Sequence, residues 1–438
     1  MAQRDRAHDG THIPEVHLNL NVRGLGMSAT LAINERSAQL RREGRRVFKL
    51  GLGQSPFPVP RCVVEELRNH AHEKDYLPVR GQRELRDAVA DYHRDTKSLE
   101  CTGPDVLVGP GSKELMFILQ LVYYGDLVIP TPSWVSYAPQ ARIIGRPIRW
   151  VPARAVNAWR IMPEDLDLIC RADPGRPRIL VLNYPSNPTG TTYSAEELEA
   201  LAEVARRYRV VLLSDEIYGE LNHQGAHVSI ARYYPEGTII SGGLSKWCGA
   251  GGWRLGTFAF PRQLRWLLEA MAVVASETFT STSAPIQFAA VRAYQGGTEI
   301  QEYLWQSRRI LSALGRHCHR RLVESGLGVP EPQGGFYLFP DFGPLRDRLR
   351  ERGIDTGADL CNRLLADTGV ALLPGADFGR PLEELTARLA YVDFDGARAL
   401  AGAEHVESRL ELGTDFLRAY CGNVLDALDA LQAWLRES

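Results

Sequence analysis

Cysteine is scarce and scattered in this 438-residue chain. The seven residues (62, 101, 170, 248, 318, 361 and 421) form no CxxC pair, so neither a zinc ribbon nor a disulfide framework is suggested. Free thiols in a reducing compartment are expected. An excess of one charge sign is also missing, since 51 Lys+Arg face 53 Asp+Glu and leave a formal net charge of −2. That balance gives no electrostatic reason to expect nucleic acid or an anionic membrane as the main partner. No run approaches the roughly 20 apolar residues needed to span a bilayer. The opening Met1-Ala-Gln-Arg-Asp-Arg6 lacks the apolar stretch of a secretory signal, and a cytoplasmic location is expected. Repeats and low-complexity tracts are absent too.

What is present is ordinary for a globular chain: 44% hydrophobic and 24% charged residues. At roughly 150 residues per domain the length suggests two or three domains. Ser28 to Arg42 reads as a helix that Gly44 is placed to end. The stretch Gly51-Leu-Gly-Gln-Ser-Pro-Phe-Pro-Val-Pro60 must be irregular, because its prolines deny helix continuation. Strands are expected at Val106–Val108, Leu127–Ile129, Ile179–Leu182, Val210–Leu213, Thr238–Ile240 and Thr257–Phe260. Between them lie helical faces such as Leu115, Ile118, Leu119 and Val122, and the capping box Ser194-Ala-Glu-Glu197 that opens another helix. Continuous apolar strands alternating with amphipathic helices mean an α/β fold with a mostly parallel sheet covered on both faces. Ligands of such sheets bind beyond the carboxyl ends of the strands. A long helix from Glu299 to Ser325, an aromatic strand at Phe336–Phe339 and one last helix over Thr414–Leu435 suggest a smaller α+β unit.

Four segments could carry chemistry. Gly109-Pro-Gly-Ser-Lys-Glu114 joins a strand to a helix, where glycines let the backbone approach an anion; a plain tight turn is the competing reading. Tyr184-Pro-Ser-Asn-Pro-Thr-Gly190 is, as bare chemistry, a turn. Leu213-Ser-Asp-Glu-Ile-Tyr218 ends an apolar strand with a partly desolvated aspartate in want of a cation, although acids at strand ends often only solvate a loop. Ser241-Gly-Gly-Leu-Ser-Lys-Trp-Cys-Gly-Ala-Gly-Gly-Trp-Arg-Leu-Gly256 places a lysine in a glycine-rich loop between two strands. A lysine desolvated there loses pKa and becomes an amine able to form a Schiff base.

Taken in order, the four segments resemble the pyridoxal-phosphate enzymes of the aspartate aminotransferase family (aminotransferase class I/II, fold type I), over about Gly51 to Arg388. The resemblance implies a large domain with a mixed, mostly parallel seven-stranded sheet between helices, over residues 60–312. A small domain would take residues 313–438, and residues 1–59 an arm and part of that small domain. Lys246 would carry pyridoxal 5′-phosphate as a Schiff base and shuttle the proton; Asp215 would hold the pyridine nitrogen protonated. Tyr218 and Asn187 would bond the phenolate oxygen, and Trp134 would stack on the ring. Gly111, Ser112, Lys113, Ser245 and Arg254 would surround the phosphate, reached also by Tyr76 of the neighbouring subunit of a homodimer with shared active sites. Arg388 would grip the substrate α-carboxylate beside Gly53 and Asn187; Arg380 is the competing choice, and a surface ion pair the bland one.

The sequence departs from the family pattern at Gly243, where many members carry a phosphate-binding serine; Ser241 or Ser245 could substitute. Ser276-Glu-Thr-Phe-Thr-Ser-Thr282 contains no arginine for a dicarboxylic substrate, which argues against aspartate as donor, and Ser281 and Thr282 are only candidate shell residues. The implied activity is amino transfer from an L-amino acid to a 2-oxo acid. The alternative is a lyase, cyclase or elimination-replacement reaction like that of 1-aminocyclopropane-1-carboxylate synthases, since one cofactor shell serves several chemistries. A cofactor-sensing regulator is disfavoured by the lack of a helix-turn-helix pattern before Gly51. The pairs His70/His72 and His317/His319 do not stack on one helical face, so no metal is expected.

Overall fold

The computed structural model describes residues 17–26, 29–97, 99–407 and 410–437. Ser28, where the first helix was expected to start, lies outside the described residues; that helix is present over Ala29–Arg42.

Seven strands build the main sheet: β1 (Val106–Gly109), β2 (Asp126–Thr131), β3 (Ile148–Pro152), β4 (Arg178–Asn183), β5 (Val211–Asp215), β6 (Thr238–Gly243) and β7 (Gly256–Ala259). Their spatial order is β1-β7-β6-β5-β4-β2-β3, with β7 antiparallel to both neighbours and every other pair parallel. Side chains alternate faces along a strand, and the core follows that period of two. Ile129, Val181, Leu213 and Phe258 pack with Leu115, Leu119 and Leu268 of the helices Ser112–Val122 and Arg265–Ser276. Val128, Leu180, Leu182 and Leu212 pack with Leu166, Leu198 and Leu201 of Pro163–Ala172 and Ala195–Arg207 on the other face. The inner strands are thus dry on both sides, which is why they read as unbroken apolar runs.

The capping box at Ser194 forms as expected: its hydroxyl accepts from the Glu197 amide at 3.2 Å, and the Glu197 carboxylate accepts from the Ser194 amide at 2.8 Å. The helix Thr298–Glu324 runs unbroken through residue 312. Beyond it a three-stranded antiparallel sheet forms from β8 (Tyr337–Leu338), β9 (Leu373–Pro374) and β10 (Ala387–Ala390), ordered β8-β10-β9.

Three expectations need correction. β3 was not anticipated; as the edge strand, with most of its side chains partly or fully exposed, it has no apolar run to announce it. The aromatic strand shrinks to Tyr337–Leu338, although its flanks Phe336 and Phe339 are buried. The last helix is two helices, Thr414–Tyr420 and Gly422–Arg436, hinged at buried Cys421. Among the described residues no helix is long and apolar enough to cross a membrane, and no group of His, Cys, Asp and Glu is arranged to hold a metal.

Candidate active site

Asn183, Asp215 and Ser241 form one register row at the carboxyl ends of β4, β5 and β6. Above that row lies a cavity of about 280 Å3. Ten candidates from the sequence converge on it: Ser112, Lys113, Trp134, Asn187, Asp215, Tyr218, Ser245, Lys246 and Arg254 line it, and Gly53 reaches it through a hydrogen bond.

Asp215 sits at the floor, 4% exposed. The Tyr137 hydroxyl donates to its Oδ2 at 2.5 Å, the Ser241 hydroxyl to its Oδ1 at 3.4 Å, and the Asn183 amide to its main-chain carbonyl at 2.9 Å. Burial pushes the Asp215 carboxyl up to about 6, against the lowering influence of Tyr137, the Ile217 amide, Ser241 and Lys246. A carboxylate so placed gains from a cation brought next to it.

Lys246 enters from the loop after β6. Its Nζ donates to the Gly53 carbonyl at 2.7 Å and stands 5.6 Å from the Tyr218 ring centre. Burial, joined by the Arg388 cation, pushes the Lys246 ammonium down to about 8, within reach of the neutral nucleophilic amine. The loop's backbone explains the departure at 243. Gly243 has φ +152°, and a Cβ there would lie 2.7 Å from the Leu255 carbonyl, so no serine fits. Ser241 turns to Asp215 and is not a stand-in for that serine, which leaves Ser245 in the cavity wall.

One end of the cavity is an anion cradle. Gly111, at φ +92°, caps the helix Ser112–Val122, and a Cβ there would fall 2.2 Å from an Arg254 nitrogen. Arg254 itself adopts the left-handed φ of 54°. Free amides at a helix start, an arginine and a lysine make a phosphate-type site. Lys113 lies 5.6 Å from the Trp134 ring centre, its ammonium lowered by burial and by Arg254.

Arg388 projects from β10 and is 1% exposed. Its guanidinium donates to Asn187 Oδ1 at 3.0 Å and to the Gly51 carbonyl at 2.5 Å, above the Tyr337 ring at 4.8 Å. Its Nε, also buried, has no partner among the described residues. Arg380 instead pairs with Glu384 at 2.6 Å and ties down the Thr131 and Ala153 carbonyls. Tyr218 shares a 2.7 Å hydrogen bond with Tyr337, and burial holds its phenol well above the ordinary range.

Tyr76 is not brought to this cavity; it is 89% exposed. Ser281 and Thr282 do not line it either, although the Thr282 hydroxyl is buried without a partner among the described residues. Sequence reasoning missed Tyr137, Asn183 and Tyr337. Asn183 carried a signal, since it ends an apolar strand as Asp215 does; the two tyrosines come from segments whose approach only the fold reveals.

Within the cavity wall, the cations Lys113, Lys246 and Arg254 face one carboxylate, Asp215. That donor set fits a small planar group with an anion at one end and a basic ring nitrogen at the other. The sequence profile of aminotransferase class I and II matches residues 45–393. The chain belongs to this family. This aminotransferase is 36% identical over 371 residues to the aspartate aminotransferase of Geobacillus stearothermophilus, covering 82% of this chain and 91% of that one. It is 32% identical over 375 residues to the aspartate/prephenate aminotransferase of Thermus thermophilus, with coverage of 82% and 91%. Among solved structures, the Thermus thermophilus aspartate aminotransferase with maleate superposes with a TM-score of 0.81 at 28% identity, over 96% of this chain and all of that one. The aromatic aminotransferase from Pyrococcus horikoshii gives 0.74 at 26% identity, over 91% and 98%. All these relatives are named as aminotransferases, which favours amino transfer over the elimination or cyclisation alternative.

Proposed function

We propose that this aminotransferase moves the amino group of an L-amino acid to a 2-oxo acid using pyridoxal 5′-phosphate held covalently by Lys246. When bound, the cofactor's heterocycle supplies a sink for the electron pair left on the substrate when its Cα proton departs. The observation that carries the reading is the Lys246 amine and the Asp215 carboxylate in the wall of one cavity with an anion cradle at its end.

The protein's own residues divide the remaining work. Asp215 keeps a proton on the ring nitrogen, its charge compensated by that cation. The Lys246 amine would take the Cα proton as a base and return it as an acid, a dual role suited to an ammonium held near 8. Gly111, Ser112, Lys113, Ser245 and Arg254 hold the phosphate, Trp134 covers the ring, and Tyr218 and Asn187 bond its phenolate oxygen. Arg388 takes the α-carboxylate beside Gly53 and Asn187, because its planar fork matches both oxygens.

Aspartate with 2-oxoglutarate is the first pair to test, as the Geobacillus and Thermus relatives are named for aspartate. A homodimer in which the partner's Tyr76 completes each cavity accords with the exposure of that side chain. Residues 60–312 would form the large domain, with 313–438 and 1–59 forming the small domain and its arm. Seven free cysteines, six of them buried, support a reducing, cytoplasmic setting.

The test is borohydride reduction of the loaded enzyme followed by peptide mass spectrometry, together with transfer of labelled nitrogen from an amino acid panel. The reduced cofactor adduct is expected on the Lys246 peptide and the labelled nitrogen on the amino acid formed from the 2-oxo acid, and Lys246→Ala is expected to abolish transfer. Cofactor fixed at another lysine, or transfer that survives in Lys246→Ala, would overturn the assignment.

A further inference from the structure

Successive residues of a strand point to opposite faces, and at the end of β5 this separates two acids. Asp215 faces the active-site cavity; Glu216 faces away, its side chain fully buried. Both Glu216 oxygens are saturated. Oε2 accepts from Lys97 Nζ at 2.6 Å and lies 2.9 Å from His227 Nε2, while Oε1 accepts from the hydroxyls of Ser214 at 2.8 Å and Ser229 at 2.5 Å. Lys97 and His227 are themselves 6% and 8% exposed at the side chain, and both line a separate cavity of about 880 Å3 that Asp215 and Lys246 do not touch. Burial alone would raise the Glu216 carboxyl; Lys97 and His227 hold it well below its usual range. The other titratable groups that feel its charge are Tyr92, His93 and Tyr184.

The backbone of Glu216 is tied as firmly. Its amide donates to the Ser241 carbonyl at 3.0 Å, and its carbonyl accepts from the Gly219 amide at 2.8 Å, closing the turn that carries Tyr218. Ser214, on the other side of Asp215, is fixed by the same carboxylate and by the Tyr184 hydroxyl at 3.2 Å. Asp215 and Tyr218 are therefore flanked by residues that one buried ion cluster immobilises. Such a cluster is a poor device for stability alone, since apolar residues of similar volume often serve as well or better. Its return is positional: it fixes a turn at the site and sets a neutralised charge next to Asp215.

We propose that Glu216, clamped by Lys97 and His227, is a positioning residue for Asp215 and Tyr218, fixing from behind the sheet the proton-holding geometry of the cofactor site. This deepens the reading of Asp215 given above and rests on it.

The experiment uses the cofactor-loaded enzyme and three readouts: the pH midpoint of the bound cofactor's absorbance without substrate, kcat with KM, and the melting temperature. Glu216→Gln is expected to shift the midpoint and lower kcat about tenfold with KM within about twofold, the signature of misplaced catalytic groups. Lys97→Met/Glu216→Gln removes the Lys97 ammonium together with the carboxylate it pairs; it is expected to recover the melting temperature but not the midpoint or kcat. Lys97→Arg, which keeps the cation, is expected to hold the midpoint. A wild-type midpoint and kcat in folded Glu216→Gln or in the double variant would overturn the proposal, as would failure of all three variants to fold, which would make the cluster structural. Asp215→Asn separates the two levels. If it too leaves the midpoint unchanged, the reading of Asp215 fails; if it alone shifts the midpoint, only the positioning role fails.

Discussion

A carboxyl at about 6 and an ammonium at about 8 in one small cavity are each displaced toward the neutral form, because burial penalises charge. Asp215 ionises near its ordinary 3.8 in the unfolded chain but only near 6 when folded, so the folded cofactor-free protein holds a proton that the unfolded chain releases. Its stability therefore falls as pH rises from about 4 to 6, by roughly 3 kcal/mol at the upper limit. Asp215→Asn keeps an acceptor for Tyr137 and removes that cost. Cofactor-stripped Asp215→Asn is expected to melt above stripped wild type at pH 8 and to lack most transaminase activity; calorimetry with an amino-transfer assay checks both. Arg388→Lys loses the planar fork while keeping the charge, and is expected to lower kcat/KM for the amino acid at least about tenfold, read from initial rates. At this scale much of the site was legible. Lys246, Asp215 and Arg254 stand in short motifs whose chemistry is local, whereas Tyr137 and Tyr337 become neighbours of Asp215 and Tyr218 only through tertiary folding.

Elements bring those residues together through close backbone approaches. Gly256, paired with Gly109, lies so near the start of the helix Ser112–Val122 that a Cβ on it would be 2.0 Å from the Ser112 amide nitrogen. Gly111 grants Arg254 the same kind of access on the cavity side. Gly111→Ala would add a Cβ at a positive φ and push Arg254 from the cradle; its affinity for the cofactor is expected to fall about tenfold or more, measured by spectral titration of stripped protein. Elements with strong internal signals were readable in advance, as the six apolar strands and the Ser194 cap illustrate. β3 was not, because an exposed edge strand carries no burial pattern. The break at Cys421 has no signal in the sequence either, because apolar periodicity continues beyond it through Val424, Leu425 and Leu428.

For the molecule as a whole, seven cysteines without a single disulfide make burial the control on thiol chemistry. Only Cys62 is partly exposed, and burial raises the thiols of the other six wherever a shift is resolved. An aromatic disulfide reagent is expected to titrate at most one thiol rapidly in the native enzyme and seven after denaturation; fast reaction of two or more would contradict the packing. The fold class was legible at this scale because alternation of strand and helix dictates a covered parallel sheet. The three-stranded sheet was far less so: two of its strands are two residues long, and their pairing is set by distant segments.

The carboxylate-binding role proposed for the guanidinium on β10 also bears on which amines are admitted. Between visits its donors are lent to an amide oxygen from the main sheet's loop and to the chain's own carbonyl at residue 51. A newcomer must replace those neutral acceptors with something better, and an anionic pair of oxygens does so while a methyl or a hydrogen cannot. Simple alkylamines should therefore be turned away at the door even though they carry the group to be moved.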